Sequence, residues 1–365
     1  MDHELNITLK TFIRNFLKFL GFLSLGLGIM YLLYRSQNKG YQAQCALDGI
    51  PVEDCSLINK VLTDFANANY FWLLMVILLF MVSNLSRTAR WHMLIRPLGY
   101  QPRFINGLGA IMIGYFANLG IPRIGEVARA GVLARYEKIE VEKVMGTIVV
   151  DRIIDVLSIL IVTILALILQ YRQIWDAVRD LLDLGTLIRL GVIGAIGLVM
   201  TILLFFLFRK KLEKTKIYQK VVGILKGFVE GLATVRQLDR PWLFLLHSIN
   251  IWLMYYLLNY VCFFAFEPTS SLSPLVGLVT FVFGGWGIVI PTPGGMGSYH
   301  FLVQVALGIY GVSSPDSFSY AMIAFITVQI GANVIFGLIS LLFLPFLNQG
   351  YAPAHAKITN DVADS

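Results

Sequence analysis

The sequence GIVIPTPGGMGSYH, at residues 287–300, interrupts an apolar region that runs from 275 to 312. The interruption contains two prolines and three glycines: Pro291, Pro293, Gly294, Gly295 and Gly297. The prolines stop the incoming helix, and the glycines let the backbone turn sharply and approach other groups closely. In lipid, irregular backbone is tolerated only where protein buries it or where it lines a wet cavity. This stretch therefore predicts a re-entrant pair of short helices.

A second apolar region, from 104 to 136, is interrupted in the same way by the sequence GIPRIG at residues 120–125. Neither flank is long enough for a comfortable crossing, since a helix needs about 20 residues to span the hydrocarbon. We expect a second re-entrant pair here.

The composition indicates that most of the chain lies in lipid. Of the 365 residues, 57% are hydrophobic and 14% are charged, against roughly 25% charged residues in ordinary soluble domains. Uninterrupted apolar segments lie at 16 to 34, 70 to 90, 146 to 170, 187 to 208, 242 to 266 and 317 to 346. The sequence thus predicts an all-α polytopic membrane protein with about six full transmembrane helices plus two re-entrant helix pairs.

The positive charges predict the orientation. Nine Lys and Arg lie between 87 and 145 and nine between 209 and 240, against three in the connection 35 to 69 and two between 171 and 186. Because cytoplasmic loops carry the excess of Lys and Arg, we expect both termini in the cytoplasm and the protein in the cytoplasmic (inner) membrane. The net charge of +7 is explained by these connections, so no nucleic-acid partner is expected.

Two of the cysteines share the connection 35 to 69, which this orientation places outside. Cys45 and Cys55 are then in an oxidising compartment and form a disulfide bond or remain two free thiols.

The order of segments predicts an internal repeat. Each half contains a span, a connection, a second span, an interrupted region and a third span, and each enters from the opposite face, as in inverted-repeat transporters. The alternative is six spans with two unrelated hairpins. The expected parts are a cytoplasmic segment 1–15, one transmembrane domain 16–346 with repeats 16–170 and 187–346, an amphipathic connection 209–241 and a disordered tail 347–365.

Charged residues follow the first interruption at a spacing of three. Arg123, Glu126 and Arg129 share one face of a helix that begins just after a chain break. Its free N–H groups and the arginines favour an anion such as a phosphate. The alternative is a surface helix with ordinary charge pairs.

A second group of charges lies inside the span 146 to 170. Asp151 and Asp155 are one turn apart, beside Arg152, and ionised groups in an apolar run normally face a bundle interior or a wet cavity. Arg87 and Arg90, at the end of the preceding span, are expected to join them. The alternative is a purely structural ion-pair network.

Beyond the second interruption, His300 and Gln304 share a face of the outgoing half-helix. A lone membrane histidine is more often a packing residue than a titrating one, and both roles are left open. The sequence contains no phosphate-binding Gly-rich loop ending in Lys-Ser/Thr and no His/Cys group with zinc spacing. We therefore expect no cofactor, no metal and no ordinary enzymatic activity.

Three motifs resemble the membrane region of bacterial lysylphosphatidylglycerol synthases, a flippase-like domain that also occurs as free-standing inner-membrane proteins. They are Pro122-Arg123-x-Gly125-Glu126-x-x-Arg129, Asp151-Arg152-x-x-Asp155 and Pro291-Thr292-Pro293-Gly294-Gly295-x-Gly297. The resemblance covers about residues 15 to 346 and implies movement of an aminoacylated phospholipid across the bilayer. The soluble aminoacyltransferase domain is missing here, so synthesis by this chain is not implied. His300 stands where the family usually has a glutamate.

These observations favour a lipid flippase or transporter for a phospholipid or related anionic or zwitterionic lipid. Its expected headgroup-binding residues are Arg87, Arg90, Arg123, Glu126, Arg129, Asp151, Arg152, Asp155, Pro293, Gly294, Gly295, Gly297, His300 and Gln304. The alternatives are a membrane-embedded transferase acting on a lipid phosphate and a non-catalytic partner in envelope synthesis. Each of these three functions is compatible with a homo-oligomer or with a partner in envelope synthesis.

Overall fold

A computed structural model describes residues 2–181 and 238–353, without 48, 52, 54, 122 and 291, together with residues 185, 189, 197 and 200. Nearly all of the predicted span 187 to 208 and of the connection 209 to 241 lies outside the described residues. The helices are α1 Asp2–Leu47, α2 Leu57–Ala66, α3 Tyr70–Ile95, α4 Phe104–Gly120, α5 Ile124–Glu137, α6 Val141–Leu169, α7 Tyr171–Leu181, α8 Pro241–Phe263, α9 Pro274–Val289, α10 Ser298–Ile309 and α11 Ser314–Leu347.

Four of these helices are long and apolar enough to cross a membrane. Within the described residues they are α3, which a short 3₁₀ turn extends to Leu98, and α6, α8 and α11. They coincide with four of the six predicted spans, and the predicted span 16 to 34 lies within α1. The chain is therefore a multi-pass, all-helical membrane protein.

The connection 35 to 69 is largely helical, which the sequence analysis did not predict. The helix α1 continues to Leu47 because its polar end finds partners: Gln37 bonds to Ser314 at the start of α11. Asn38 Oδ1 accepts a hydrogen bond of 3.0 Å from the backbone N–H of Leu57, at the start of α2.

A disulfide bond closes the polar segment between α1 and α2. It joins Cys45 to Cys55, and both cysteines are buried. The segment thus fixes the end of α1 against α2, whose Leu57 and Val61 pack with Phe318 of α11.

One structural unit occurs twice along the chain: a long helix, a hairpin of two short helices and another long helix. The first unit is α3, α4–α5 and α6, and the second is α8, α9–α10 and α11. The two units meet where α3 packs along α8. Ser83 donates a hydrogen bond of 3.3 Å to the carbonyl of Ile251, and Asn250 donates one of 2.7 Å to Ser86.

Glycines bring the helices of each hairpin into close contact. In α4–α5, a methyl group added at Gly125 would lie 2.2 Å from the carbonyl oxygen of Gly114. In α9–α10, a methyl group added at Gly287 would lie 2.6 Å from the Cα atom of Tyr299. Any larger residue at these positions would separate the helices, so the two predicted interruptions are tightly packed helical hairpins.

Candidate functional site

Five charged side chains form a cluster inside the helix bundle. This buried ion cluster consists of Arg87 and Arg90 of α3, Arg129 of α5, and Asp151 and Asp155 of α6. Arg90 Nη2 lies 2.6 Å from Asp151 Oδ1 and 2.7 Å from Asp155 Oδ1. Arg87 Nη1 lies 2.7 Å from Asp155 Oδ2, and Arg129 Nη1 lies 3.0 Å from Asp151 Oδ2. The cluster therefore connects three helices.

Aromatic and hydroxyl groups fix two of its arginines. The guanidinium of Arg129 lies 3.7 Å from the centroid of the Trp91 ring, and the Trp91 indole donates a hydrogen bond of 2.9 Å to Thr147. The guanidinium of Arg90 lies 3.3 Å from the hydroxyl of Ser248. Because buried charges need partners, these contacts stabilise the cluster, although Nε of Arg87 and Nε and Nη2 of Arg129 have no hydrogen-bond partner among the described residues.

A second, more exposed group of charges lies beside the cluster. Arg152 Nε is 3.2 Å from Glu126 Oε1, and Arg152 Nη1 is 3.5 Å from Asp155 Oδ2. The side chain of Arg152 retains 38% of its accessible surface. Arg123 is exposed, and no residue in the described part of the chain forms an ion pair with it. Solvent or a ligand can therefore reach these two arginines.

A cavity of about 760 Å³ lies next to these charges. Its charged lining residues are Arg87, Arg123, Glu126, Arg152 and Asp155. Most of the remaining wall is apolar, aromatic or glycine, contributed by α3, α4, α6, α8, α9 and α11. The cavity thus combines charged groups with an apolar wall, as an amphipathic ligand requires.

The turns of both hairpins contribute to the cavity and approach each other. A methyl group added at Gly294 would lie 3.2 Å from Cδ2 of Leu119 at the end of α4. In the second turn, the backbone φ angles of Gly294, Gly295 and Gly297 are 58°, 83° and 85°, which favour glycine. The hydroxyl of Ser298 donates a hydrogen bond of 2.6 Å to the carbonyl of Gly287. Both interruptions therefore border one space.

A family profile covers the part of the chain that forms this cavity. The profile described as the lysylphosphatidylglycerol synthase TM region matches residues 56–355. The chain belongs to this family. The match begins just before α2 and contains both hairpins, the buried ion cluster and the cavity-lining residues, whereas α1 and the disulfide bond lie before it.

A more distant relative agrees with the membrane assignment. A UPF0104 membrane protein of Methanocaldococcus jannaschii is 28% identical over 110 residues, which are 29% of this chain and 33% of that protein. The matched stretch therefore spans about a third of the length of this curated relative. No solved structure matches the chain.

In this member of the lysylphosphatidylglycerol synthase TM-region family, His300 and Gln304 lie beside each other on α10 and do not line the cavity. Both are buried, and neither contributes to the cavity wall. His300 Nδ1 accepts a hydrogen bond of 3.4 Å from the Gly297 N–H, and its ring centroid lies 4.6 Å from that of Phe325. Gln304 Nε2 donates a bond of 3.1 Å to the His300 carbonyl. Within the described residues, His300 Nε2 and Gln304 Oε1 have no hydrogen-bond partner, so these contacts leave both roles of His300 open.

Some of the other expected site residues line the cavity, and the others do not. Gly294 and Gly295 line the cavity together with the five charged residues named above. Arg90, Arg129, Asp151 and Gly297 are not among its lining residues. Arg129, expected to receive a phosphate, contacts Asp151 and Trp91 in the buried ion cluster. Pro293 lies in the second turn.

Uncharged side chains of the cavity wall were missing from the sequence-based site. Tyr115 and Tyr255 place their hydroxyl oxygens 3.2 Å apart, and the Arg87 guanidinium lies 5.8 Å from the Tyr255 ring centroid. Asn118 accepts a hydrogen bond of 2.7 Å from the Gly125 N–H. Trp252 of α8 also lines the cavity. Tyrosines and tryptophans are common in membrane helices, so the sequence alone gives them no distinguishing signal.

Proposed function

We propose that this protein moves a phospholipid or a related anionic or zwitterionic lipid between the leaflets of the cytoplasmic membrane. The observation that carries the proposal is the cavity of about 760 Å³, whose wall combines accessible arginines with apolar surface. A lipid presents the same combination, a charged phosphate joined to apolar chains. Arg123 and Arg152 contact the phosphate in this proposal, since guanidinium groups bind phosphate oxygens in a bidentate manner.

The proposal includes the topology expected from the sequence. The two hairpins are re-entrant, the two units form an inverted repeat, and both termini are cytoplasmic. Support comes from the repeated order of long helix, hairpin and long helix, and from the approach of Leu119 to Gly294 between the two turns. Inverted repeats bring interrupted helices together at a substrate site near the bilayer midplane.

A lipid-phosphate transferase receives less support from this geometry. Such an enzyme needs a general base, and Asp151 and Glu126 were the expected candidates. Asp151 accepts hydrogen bonds from arginines of α3 and α5, and Glu126 lies against Arg152. The test of transport therefore also records whether the mass of the lipid changes.

The test uses purified protein in liposomes that contain a fluorescent phospholipid. We expect the label to move between leaflets with no change in lipid mass. The Arg152→Ala variant should insert normally but lose transport by about tenfold or more, because a hydrogen bond to a charged group contributes about 1.5–3 kcal/mol. Arg135→Ala, on the exposed side of α5, is the matched control. Transport at the wild-type rate by Arg152→Ala, or a chemically altered lipid without transport, would contradict the proposal.

A further inference from the structure

We infer that the cavity opens sideways into the lipid between α6 and the end of α9, and that the acyl chains of a bound phospholipid leave through this opening while its headgroup stays inside. The inference rests on the proposed function and specifies how that site takes up its substrate. Three features carry it: the closed contact between α6 and α9 along part of their length, the exposed apolar residues beyond it, and the size of the cavity.

The helices α6 and α9 are in close contact along one part of their length. Ala166 of α6 and Leu278 of α9 belong to one buried apolar cluster. Nearer the middle of α6, the Trp286 indole donates a hydrogen bond of 3.1 Å to the hydroxyl of Thr163. The contacts move back along α6 as they move forward along α9, so the two helices are antiparallel and this part of the seam between them is closed.

Beyond this closed part, residues of both helices line the cavity. A methyl group added at Gly285 would lie 3.1 Å from Cδ1 of Ile159, and both residues are part of the cavity wall. Next along the wall are Val156 of α6 and Ile288 and Val289 of α9, which are 51%, 43% and 49% exposed. Residues that line a cavity and are also exposed lie where the cavity opens. These last three residues therefore define the lateral opening.

The surroundings of the lateral opening are apolar. Its three residues are aliphatic, and α6 is one of the candidate membrane spans. The next residues of α6, Leu160 and Ile161, are also exposed and aliphatic. Since the hydrocarbon of the bilayer is the solvent for such a surface, an acyl chain can extend from the cavity into the bilayer without crossing water.

Charged residues lie on the cavity side of the opening. Arg152 precedes Val156 by about one helical turn, so the two side chains share a face of α6, and both line the cavity. Glu126, whose Oε1 lies 3.2 Å from Nε of Arg152, lines it as well. A phosphate bound to Arg152 therefore has its acyl chains beside Val156, at the opening.

The size of the cavity requires such an exit for the chains. Its volume of about 760 Å³ is that of a pocket for a drug-sized ligand, which is roughly 300–1,000 Å³. Each acyl chain of a phospholipid reaches across half of the hydrocarbon, about 15 Å. Two such chains and a headgroup do not fit inside together, so the cavity holds the headgroup and the chains remain in the bilayer.

Photocrosslinking to lipid tests the opening independently of transport. The full chain is reconstituted into vesicles of phosphatidylethanolamine and phosphatidylglycerol with p-benzoylphenylalanine in place of Val156 or Ile288, and the captured lipid is identified by mass spectrometry. Ile161 of α6 and Leu275 of α9 are the control positions, because both are exposed and neither lines the cavity.

A chain held in the opening belongs to the bound lipid. At positions 156 and 288 we therefore expect the captured lipid to be enriched severalfold in one of the two phospholipids, and Arg152→Ala should return it to the composition of the vesicle. At positions 161 and 275 the captured lipid should match the vesicle with or without Arg152. Vesicle composition at both 156 and 288 would overturn the inference.

Bulky substitutions test whether transported lipid uses the opening. Val156→Trp and Ile288→Trp should lower the transport rate about tenfold or more, which corresponds to about 1.4 kcal/mol, while their unfolding midpoints stay near that of the wild type. Ile161→Trp and Leu275→Trp should keep the wild-type rate. Wild-type transport by both variants at the opening would overturn this route.

The two experiments separate the opening from the proposed function. Enrichment at positions 156 and 288 without any transport by the wild type would leave the opening as a lipid-binding site and contradict the proposed function alone. Transport by the wild type with vesicle composition at both positions would contradict the opening alone.

Discussion

Asp151 is the residue on which the most interactions of the buried ion cluster depend. Its carboxylate is fully buried and lies within 3.4 Å of nitrogen atoms from Arg87, Arg90 and Arg129. Each of these arginines would be unpaired or underpaired without it. Breaking such a buried pair costs about 3–5 kcal/mol, because one charge remains buried without compensation.

We predict that Asp151→Asn destabilises the folded protein strongly. The side chain keeps its shape but loses the charge that holds arginines of α3 and α5. The thermal unfolding midpoint in detergent should fall well below that of the wild type. Glu126→Gln is the matched control, since its pair with Arg152 is partly exposed and such pairs contribute only about 0–1 kcal/mol. Equal midpoints for the two variants would contradict a stabilising role of the cluster.

Arg123 and Lys138 are the non-glycine residues with a left-handed backbone in the described part of the chain, and of these two Arg123 lines the cavity. The φ angle of Arg123 is 65°, a left-handed conformation that costs a non-glycine residue roughly 1–2 kcal/mol. Lys138 has a φ angle of 56° and is exposed at the end of α5, outside the cavity. Strain at functional sites is tolerated when the side chain is needed there.

We predict opposite effects on stability and transport for Arg123→Gly. Glycine relieves the strain, so the unfolding midpoint should stay the same or rise slightly, whereas transport should fall because a phosphate contact is lost. Lys138→Gly relieves the same kind of strain, so its midpoint should also stay the same or rise slightly, but its transport rate should not change. Both quantities are measured on the same reconstituted preparations. If Arg123→Gly transports lipid at the wild-type rate, Arg123 is not part of the proposed site.

Helix packing in the hairpins depends on a few glycines that the sequence does not distinguish from the others. Gly125 and Gly131 both lie in α5, but only Gly125 faces a neighbouring helix; a methyl group at Gly131 would meet no atom within 4 Å. The interruptions were predictable because proline and glycine act locally on the backbone. Which glycine is at the contact depends on the rotation of α5 against α4, which is set by tertiary packing.

We therefore predict that Gly125→Ala disrupts the first hairpin, while Gly131→Ala is neutral or slightly stabilising. The added methyl group of the first variant overlaps the carbonyl of Gly114, and α5 must move away. Alanine in place of the exposed helical glycine should gain up to about 1 kcal/mol. Unfolding midpoints and the yield of monodisperse protein measure both effects. A folded, fully stable Gly125→Ala protein would contradict the close packing.

At the scale of the molecule, the sequence predicted the parts that depend on hydropathy and missed those that depend on long-range contacts. The four long helices were located correctly, because a continuous run of about 20 apolar residues is a strong sequence signal for a membrane span. The helical connection between α1 and α3 was missed, since its polar residues are stabilised by α11, far along the chain. Arg87 and Arg90 were rightly grouped with the aspartates, but Arg129 was expected to face the ligand rather than Trp91.

The disulfide offers a test of the proposed orientation. If the connection between α1 and α2 is outside, a membrane-impermeant maleimide should label Cys45 and Cys55 of intact cells only after an impermeant reductant has been added. Cys262 lies in α8, a candidate membrane span, and should remain unlabelled, so it serves as the internal control. If Cys45 and Cys55 are labelled only in permeabilised cells, the connection lies in the cytoplasm and the proposed orientation is wrong.

The buried ion cluster also has an electrical consequence. With three arginines and two aspartates it carries a net charge of +1, and its contacts hold that charge between α3, α5 and α6. A membrane voltage does about 2.3 kcal/mol of work per 100 mV on each elementary charge that crosses. If the cluster keeps its place while a lipid is moved as proposed, that work acts on the lipid. A net anionic lipid would therefore move faster toward the positive side, and a potassium diffusion potential across the liposomes should reveal this dependence.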